Sequence, residues 1–407
     1  MADWTSDANQ ALCLRLSRGK EDADVMEGEE ALEVFHPRFT YPIFGDEEKI
    51  YGYQDLRIDL SFASGSLAQY LSVSSSAKLP VSTADDVEGT LFKFIPPDYY
   101  KDREQFVKRV EQDATTFKPM GEKVYSYTRR ATTSGKGKTK QDEPVDEDSD
   151  DAVVYEVYKA TWATPGFRPY HRKMQVFILL YIEAGSYIQE DEDKWEFMVL
   201  YERRRRKDTN RTETYHFVGY STLYPFYCWP DKVRMRLSQF VILPPFQAKG
   251  HGASLYNAIY QYAVQNPLIA ELTIEDPSEA FEDLRDKCDL RMLLGHEKFL
   301  SMAYGEGAGQ KGKLGPPAAK VWVEEWRRKL KIAPRQFERL VEMLILRRLN
   351  PSDSKALRAF RLQVKERLYR FNYEIMVMLE KEERIEKLQE TFEGVREDYE
   401  RILALIS

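Results

Sequence analysis

Three carboxylates and one glycine-bearing loop are the residues of this chain best suited to chemistry. Residues 273–277 read Thr-Ile-Glu-Asp-Pro, so Glu275 and Asp276 stand side by side behind a short apolar run. Neighbouring acids raise one another's pKa, and a carboxylate so raised can take a proton near neutral pH. A third acid, Glu183, follows the apolar run of residues 174–182 and either assists that base or marks the end of its segment. Either Asp276 or Ser278 can instead cap the helix that follows Pro277. Residues 247–253, Gln-Ala-Lys-Gly-His-Gly-Ala, set Gly250 and Gly252 at the start of an amphipathic segment. Free N–H groups at a helix start attract an anion, and glycines let them crowd together. A plain strand-to-helix turn is the competing reading. His251 falls inside this loop, where its backbone N–H counts for more than its ring.

A strand has to deliver that loop. Residues 233–243, VRMRLSQFVIL, begin by alternating and then become uniformly apolar, as a strand entering the middle of a sheet does. Pro244 and Pro245 then end it, because proline cannot donate to a ladder. The neighbouring strand is expected to splay away there, leaving backbone groups of residues 240–243 open to a ligand that carries amides. An open edge followed by an anion cradle fits one extended molecule with an amide arm and a pyrophosphate, such as coenzyme A.

The bulk properties narrow the class. The chain has 407 residues, 43% of them hydrophobic, which supports two or three packed domains and excludes global disorder. Its net charge of −7 suits a basic partner better than the backbone of a nucleic acid. Cys13, Cys228 and Cys288 lie far apart and the five histidines are scattered, so neither a disulfide framework nor a metal site is expected. No run is long enough to span a bilayer, and the opening residues lack the order of a signal peptide. A soluble intracellular protein is the expectation.

Along the chain, residues 1–130 read as an N-terminal α/β domain on the substrate side. Within it residues 49–62 alternate like a strand and residues 102–117 have helical spacing. Residues 131–152 lack large apolar side chains and read as a disordered insertion. Strand signals dominate from about Val153 to Cys288, within residues 153–304, which read as the coenzyme-binding domain. There the five cations Arg203–Lys207 read as a solvated turn, with an import address or a nucleic-acid patch as alternatives. A short helix is expected from Ser278. Residues 305–317 form a glycine-rich linker, and residues 318–407 a helical domain whose long segment 354–392 reads as one helix.

The loop Gln247–Gly252 matches the Q/R-x-x-G-x-G/A pattern of the GCN5-related N-acetyltransferase superfamily. With WPDK at 229–232, LPPFQAKGHGASLY at 243–256 and TIEDPSEAFEDLRD at 273–286, the chain resembles the type B histone acetyltransferase catalytic subunits, of fungal type. FGDEEKIYGY at 44–53, DDVEGTLFKFIPP at 85–97 and residues 167–188 extend the resemblance over most of the length.

The resemblance implies an α+β acetyltransferase fold with a mixed, splayed central sheet, and acetyl-CoA as co-substrate. It assigns the coenzyme arm to Phe240, Val241 and Ile242, and the pyrophosphate to Gln247, Ala248, Lys249, Gly250, His251, Gly252 and Ala253. Ser278 and Lys287 would reach the coenzyme from the next helix. Some relatives have glycine at position 248, where alanine is tolerable if its φ is negative. Glu275 would be the base, with Asp276 and Glu183 as neighbouring carboxylates. Asp46, Glu47, Glu48, Tyr224, Pro225 and Phe226 would grip the tail of newly made histone H4, or H2A. The resemblance also implies a WD-repeat β-propeller histone-binding partner, residence in cytoplasm and nucleus, and roles in chromatin assembly, DNA repair or silencing. A non-catalytic histone-binding or assembly module is the alternative, with the helical tail as its partner platform.

Overall fold

Alternating burial at Ile58, Leu60 and Phe62 builds the first small sheet of the computed structural model, which describes residues 4–24, 33–130, 146–149, 152–206, 211–305 and 312–406. Strand β1 (Leu12–Ser17) runs parallel to β2 (Arg57–Ala63), which pairs antiparallel with β3 (Gln69–Ser74). The alternation over residues 49–62 is not one strand. It breaks into Lys49–Tyr51, Tyr53–Gln54 and β2, because Gly52 (φ +99°) and Asp55 (φ +49°) turn the backbone into the left-handed region. Helix α1 (Arg103–Thr116) forms where its spacing predicts, capped by Asp102, whose carboxylate accepts from Gln105 N.

The second sheet holds six strands: β4 (Glu122–Arg130), β5 (Ala152–Thr161), β6 (Glu196–Arg205), β7 (Glu213–Cys228), β8 (Lys232–Ile242) and β9 (Ile269–Ile274). Their order is β9-β8-β7-β6-β5-β4, and β4 through β7 pair antiparallel in succession. Residue 130 is therefore not a boundary, since β4 and β5 on either side of the insertion are sheet neighbours. Residues 131–145 and 150–151 of that insertion lie outside the described residues, while Ala152 already belongs to β5.

The arginine run corrects the expectation of a solvated turn. Arg203, Arg204 and Arg205 are the last residues of β6, opposite Tyr215, Thr214 and Glu213. Arg203 is buried among Glu147, Glu156 and Glu213, Arg204 pairs with Glu202, and Arg205 pairs with Asp148. Arg206 grips Asp22 and Glu21. Lys207 lies outside the described residues. These guanidinium groups are neutralised within the fold, which leaves them ill suited to serve as an import address or a phosphate patch.

The chain divides into two compact units, Met1–Pro225 with Leu237–Ile259, and Phe226–Arg236 with Tyr260–Ser407. The cuts fall inside β7, β8 and the helix His251–Gln265, not at 130 and 304, because packing rather than composition sets them. The second unit has its own core, in which Phe299, Trp322, Trp326, Phe337, Phe360 and Tyr399 are buried. Before it, the helix beginning at Ser278 is longer than expected and runs Glu279–Leu294. The linker's residues 306–311 lie outside the described residues. The segment 354–392 is two main helices, Ser354–Phe371 and one that starts at Lys381 and ends at Ala404, rather than one. The fold is thus mixed α+β, with a central sheet and a helical C-terminal region. Among the described residues no helix is long and apolar enough to cross a membrane.

Candidate active site

Strand β8 ends at Ile242, and Pro244–Phe246 turn through one 3₁₀ step. The open edge expected over residues 240–243 is partly taken. Leu243 N donates to Val218 O (3.0 Å), and the Gln247 side chain donates to Ile242 O (2.7 Å). Phe240 is half-buried, and Val241 and Ile242 are buried. Upstream, Gln239 N donates to Thr222 Oγ1 (3.1 Å), and the Gln239 side-chain amide donates to Ser186 O (2.7 Å). That second bond holds the turn bearing Glu183, which is exposed just past the helix Val176–Tyr181.

Residues 247–250 are exposed, and α2 (His251–Gln265) starts immediately after them. Gly250 has φ +77° and Ala248 has φ +57°. The negative φ that would make an alanine easy at 248 is therefore not met, and its Cβ is held in the left-handed region. Such strain costs about 1–3 kcal/mol. Exchange for glycine is expected to keep the KM for acetyl-CoA within about two-fold, because it relieves that strain. Ala248→Val, β-branched at positive φ, is expected to raise it by about ten-fold. Steady-state kinetics with varied acetyl-CoA checks both.

His251 is more than a backbone donor. Its ring is buried, lies 4.3 Å from that of Tyr155, and has Nδ1 2.7 Å from Tyr127 OH. Burial, with help from Arg129, pushes its pKa down to about 4, so the imidazole is neutral at physiological pH. The Tyr127–His251 contact anchors the first turn of α2 on β4. A residue that sequence reasoning missed stands beside it. The Arg129 guanidinium lies over the Tyr127 ring (5.2 Å), and a Cβ added to Gly250 would meet its Nη2 at 2.8 Å. Two cations, Arg129 and Lys249, thus stand at a loop whose backbone is bare at Gly250. These residues fit the pyrophosphate of a coenzyme. Ala253 and Gly252 are half-buried in the first turn of α2.

In the second unit, Glu275 directly follows β9 and is half-buried. Its Oε1 lies 3.2 Å from Nη2 of Arg236, so its partner in this structure is a cation rather than the expected carboxylate. Asp276 is exposed at φ +33°, and Ser278, not Asp276, caps helix α3 (Glu279–Leu294), accepting from Phe281 N. Lys287 is half-buried on α3. The Cys288 thiol is buried and pushed up to about 12, which makes it inert as a nucleophile.

The acidic trio separates. Asp46 and Glu47 line a hollow of about 500 Å³ with Thr5, Phe44, Lys49 and Tyr51. Glu48 does not line it. Its carboxylate accepts from Thr40 N (2.6 Å), Tyr41 N (3.0 Å) and Asn9 Nδ2 (2.8 Å), which lowers its pKa against the effect of burial. It therefore ties down the helix Tyr41–Phe44 rather than facing the hollow. Tyr41 in turn accepts Ala184 N on its hydroxyl (2.5 Å), beside Glu183. Tyr224 is half-buried, its hydroxyl on Glu192 (2.9 Å), and Pro225 is half-buried after it. In the second unit Phe226, Tyr227 and Trp229 are exposed, the last at 82%.

The comparisons with known proteins give the class first. A family model described as the histone acetyl transferase HAT1 N-terminus matches residues 4–183, and one described as fungal HAT1, C-terminal, matches residues 286–350. Among curated relatives, a histone acetyltransferase type B catalytic subunit of Cryptococcus neoformans is 54% identical over 100% of this chain and 98% of its own length. Proteins of the same description from Mycosarcoma maydis and Eremothecium gossypii are 46% and 36% identical, over 97% and 98% of this chain and 87% and 91% of theirs. The chain belongs to the family of type B histone acetyltransferase catalytic subunits, and it is an enzyme. The alternative of a non-catalytic histone-binding module falls with that finding. Histones as substrate and acetyl-CoA as acyl donor follow from the activity.

Proposed function

We propose that the chain, built on the GCN5-related acetyltransferase plan, acetylates lysines in the N-terminal tail of newly made histone H4 by direct attack in a ternary complex. The observation that carries this reading is the loop of residues 247–252, with its two left-handed residues and adjacent cations, leading into α2. It receives the pyrophosphate on backbone N–H groups, with Arg129 and Lys249 offsetting the charge. Backbone groups of Phe240, Val241 and Ile242 hold the pantetheine arm, and Ser278 and Lys287 reach the coenzyme from α3. Asp46 and Glu47, with the aromatic run Tyr224–Phe226, hold the basic tail.

Glu275 takes the proton from the lysine amine, and Asp276 and Glu183 are its supporting carboxylates. The freed nitrogen attacks the thioester carbon, a backbone N–H donates to the developing oxyanion, and the C–S bond breaks with coenzyme A leaving as thiolate. No covalent enzyme intermediate is involved. A WD-repeat β-propeller subunit presents the histone, and the enzyme works in cytoplasm and nucleus, before chromatin assembly.

The test is transfer of label from acetyl-CoA to tail peptides of H4, H2A and H3. Label on the H4 peptide at a kcat/KM at least about ten-fold above H3 is expected, in line with about 1.4 kcal/mol of discrimination. Equal labelling of all basic peptides would overturn the H4 assignment, and none at all would overturn the reading.

A further inference from the structure

Strand β8 carries two outward arginines two residues apart, and they meet different fates. Arg234 grips Glu271 (2.6 Å), a buried acid that Arg327 also holds (2.7 Å), so that pair is part of the second unit's framework. Arg236 reaches the carboxylate of Glu275 with Nη2, and its guanidinium carbon lies 4.3 Å over the ring of Phe226. Its Nε is buried without a hydrogen-bond partner, so the side chain is held by the ring beneath it and by the carboxylate at its tip. The ion pair is half open to solvent, at 33% and 38% side-chain exposure. Pairs this exposed add little to stability, so a framework role explains Arg236 poorly.

Glu275 has little else to fix it. It lies beyond the last residue of β9, and the next residue turns the chain into the left-handed region. A carboxylate on a flexible stem makes a poor base unless one oxygen is aimed at the proton it must take. An arginine that meets Oε1 end-on through Nη2 can fix the stem while the second oxygen faces the amine. Only arginine combines a flat face for an aromatic ring with an end-on N–H donor, so lysine could keep the charge and lose the geometry.

We propose that Arg236, stacked on Phe226, is a positioning residue that holds Glu275 by one oxygen and aims the other at the substrate lysine. This rests on the reading of Glu275 as the base. The full-length chain is assayed with acetyl-CoA and an H4 tail peptide as wild type, Arg236→Ala, Arg236→Lys, Arg234→Gln and Glu275→Gln, and as the Arg236→Ala/Glu275→Gln double variant. Arg236→Ala is expected to lose 10- to 100-fold in kcat, on the order of what a misaimed group costs, with KM for acetyl-CoA unchanged. Millimolar guanidinium should restore part of that loss, Arg236→Lys should fall between, and Arg234→Gln should keep kcat.

In the Glu275→Gln background the further change at Arg236 should add nothing, because a positioning residue without its base has no task. Wild-type kcat in Arg236→Ala, or a loss that guanidinium leaves unchanged and that adds in full to Glu275→Gln, would overturn the proposal. If Glu275→Gln itself keeps its kcat, the base assignment has failed, and this inference falls with it for a different and recognisable reason.

Discussion

Exchange of Glu275 for glutamine is expected to lower kcat by about 10²- to 10³-fold, the usual contribution of one general base. The substitution is chosen because it changes little else. Glutamine keeps the length of the side chain and an oxygen for Nη2 of Arg236, which sits 3.2 Å from Oε1. Melting temperature and the KM for acetyl-CoA should therefore stay as they are. What glutamine cannot do is take a proton. A free lysine has a pKa near ~10.4, so at pH 7 fewer than about one amine in 10³ is neutral. Without a base the variant depends on that fraction, and its kcat/KM should climb about ten-fold per pH unit up to about pH 9. The wild type should not follow that line.

The neighbouring acids supply the contrast. Asp276 is exposed and left-handed, a conformation that asparagine also adopts readily, so Asp276→Asn should stay within about three-fold of wild type. Glu183→Gln should do the same if it only supports. A Glu275→Gln enzyme within three-fold of wild type would instead mean that another group takes the proton.

The parts of the site that were legible in the sequence are those set by local covalent chemistry. Proline ends β8 wherever β8 goes, glycine permits the loop, and Ser278 caps α3 through a contact three residues away. The helical tail announced itself by periodicity, although the break at residues 372–380 did not. What escaped was set by partners far along the chain. The Arg203–Arg206 run looks like a solvated turn until Asp22 appears 184 residues away from Arg206. Glu48 looks equal to Asp46 and Glu47 until three donors from residues 9, 40 and 41 converge on it. Arg129 and Arg236 carry no local motif, and only the fold puts one beside Gly250 and the other beside Glu275. Charge runs announce composition, whereas burial and pairing decide what the charges do.

The second large effect is expected at Gly219, a residue no motif picks out. In β7 it sits at a bulge, where Leu200 pairs with Gly219 but Tyr201 pairs with Phe217, leaving Val218 as the extra residue. Val218 O accepts from Leu243 N (3.0 Å), so the bulge faces the end of β8. A Cβ on Gly219 would lie 2.2 Å from Val241 O and 2.9 Å from the Cα of Ile242, backbone atoms that cannot swing aside. Alanine there must push the strand end away by about 1 Å. Overpacking of this kind costs about 1–3 kcal/mol, or about 2–12 °C in melting temperature for a unit of this size.

Function should suffer more than stability does. Val241 and Ile242 are the residues assigned to the coenzyme arm, and a shift of about 1 Å in a binding strand can cost on the order of 10²-fold. Gly219→Ala is thus expected to raise the KM for acetyl-CoA by at least about ten-fold while the protein remains folded. Gly394→Ala is the matched control. Gly394 is exposed within the helix Lys381–Ala404, and nothing lies within 4 Å of its added Cβ. There the same exchange should stabilise by about 0.5–1 kcal/mol and leave kinetics alone. Thermal melts and acetyl-CoA titrations of the two variants check both signs. Wild-type acetyl-CoA affinity in Gly219→Ala would mean that the end of β8 does not hold the coenzyme.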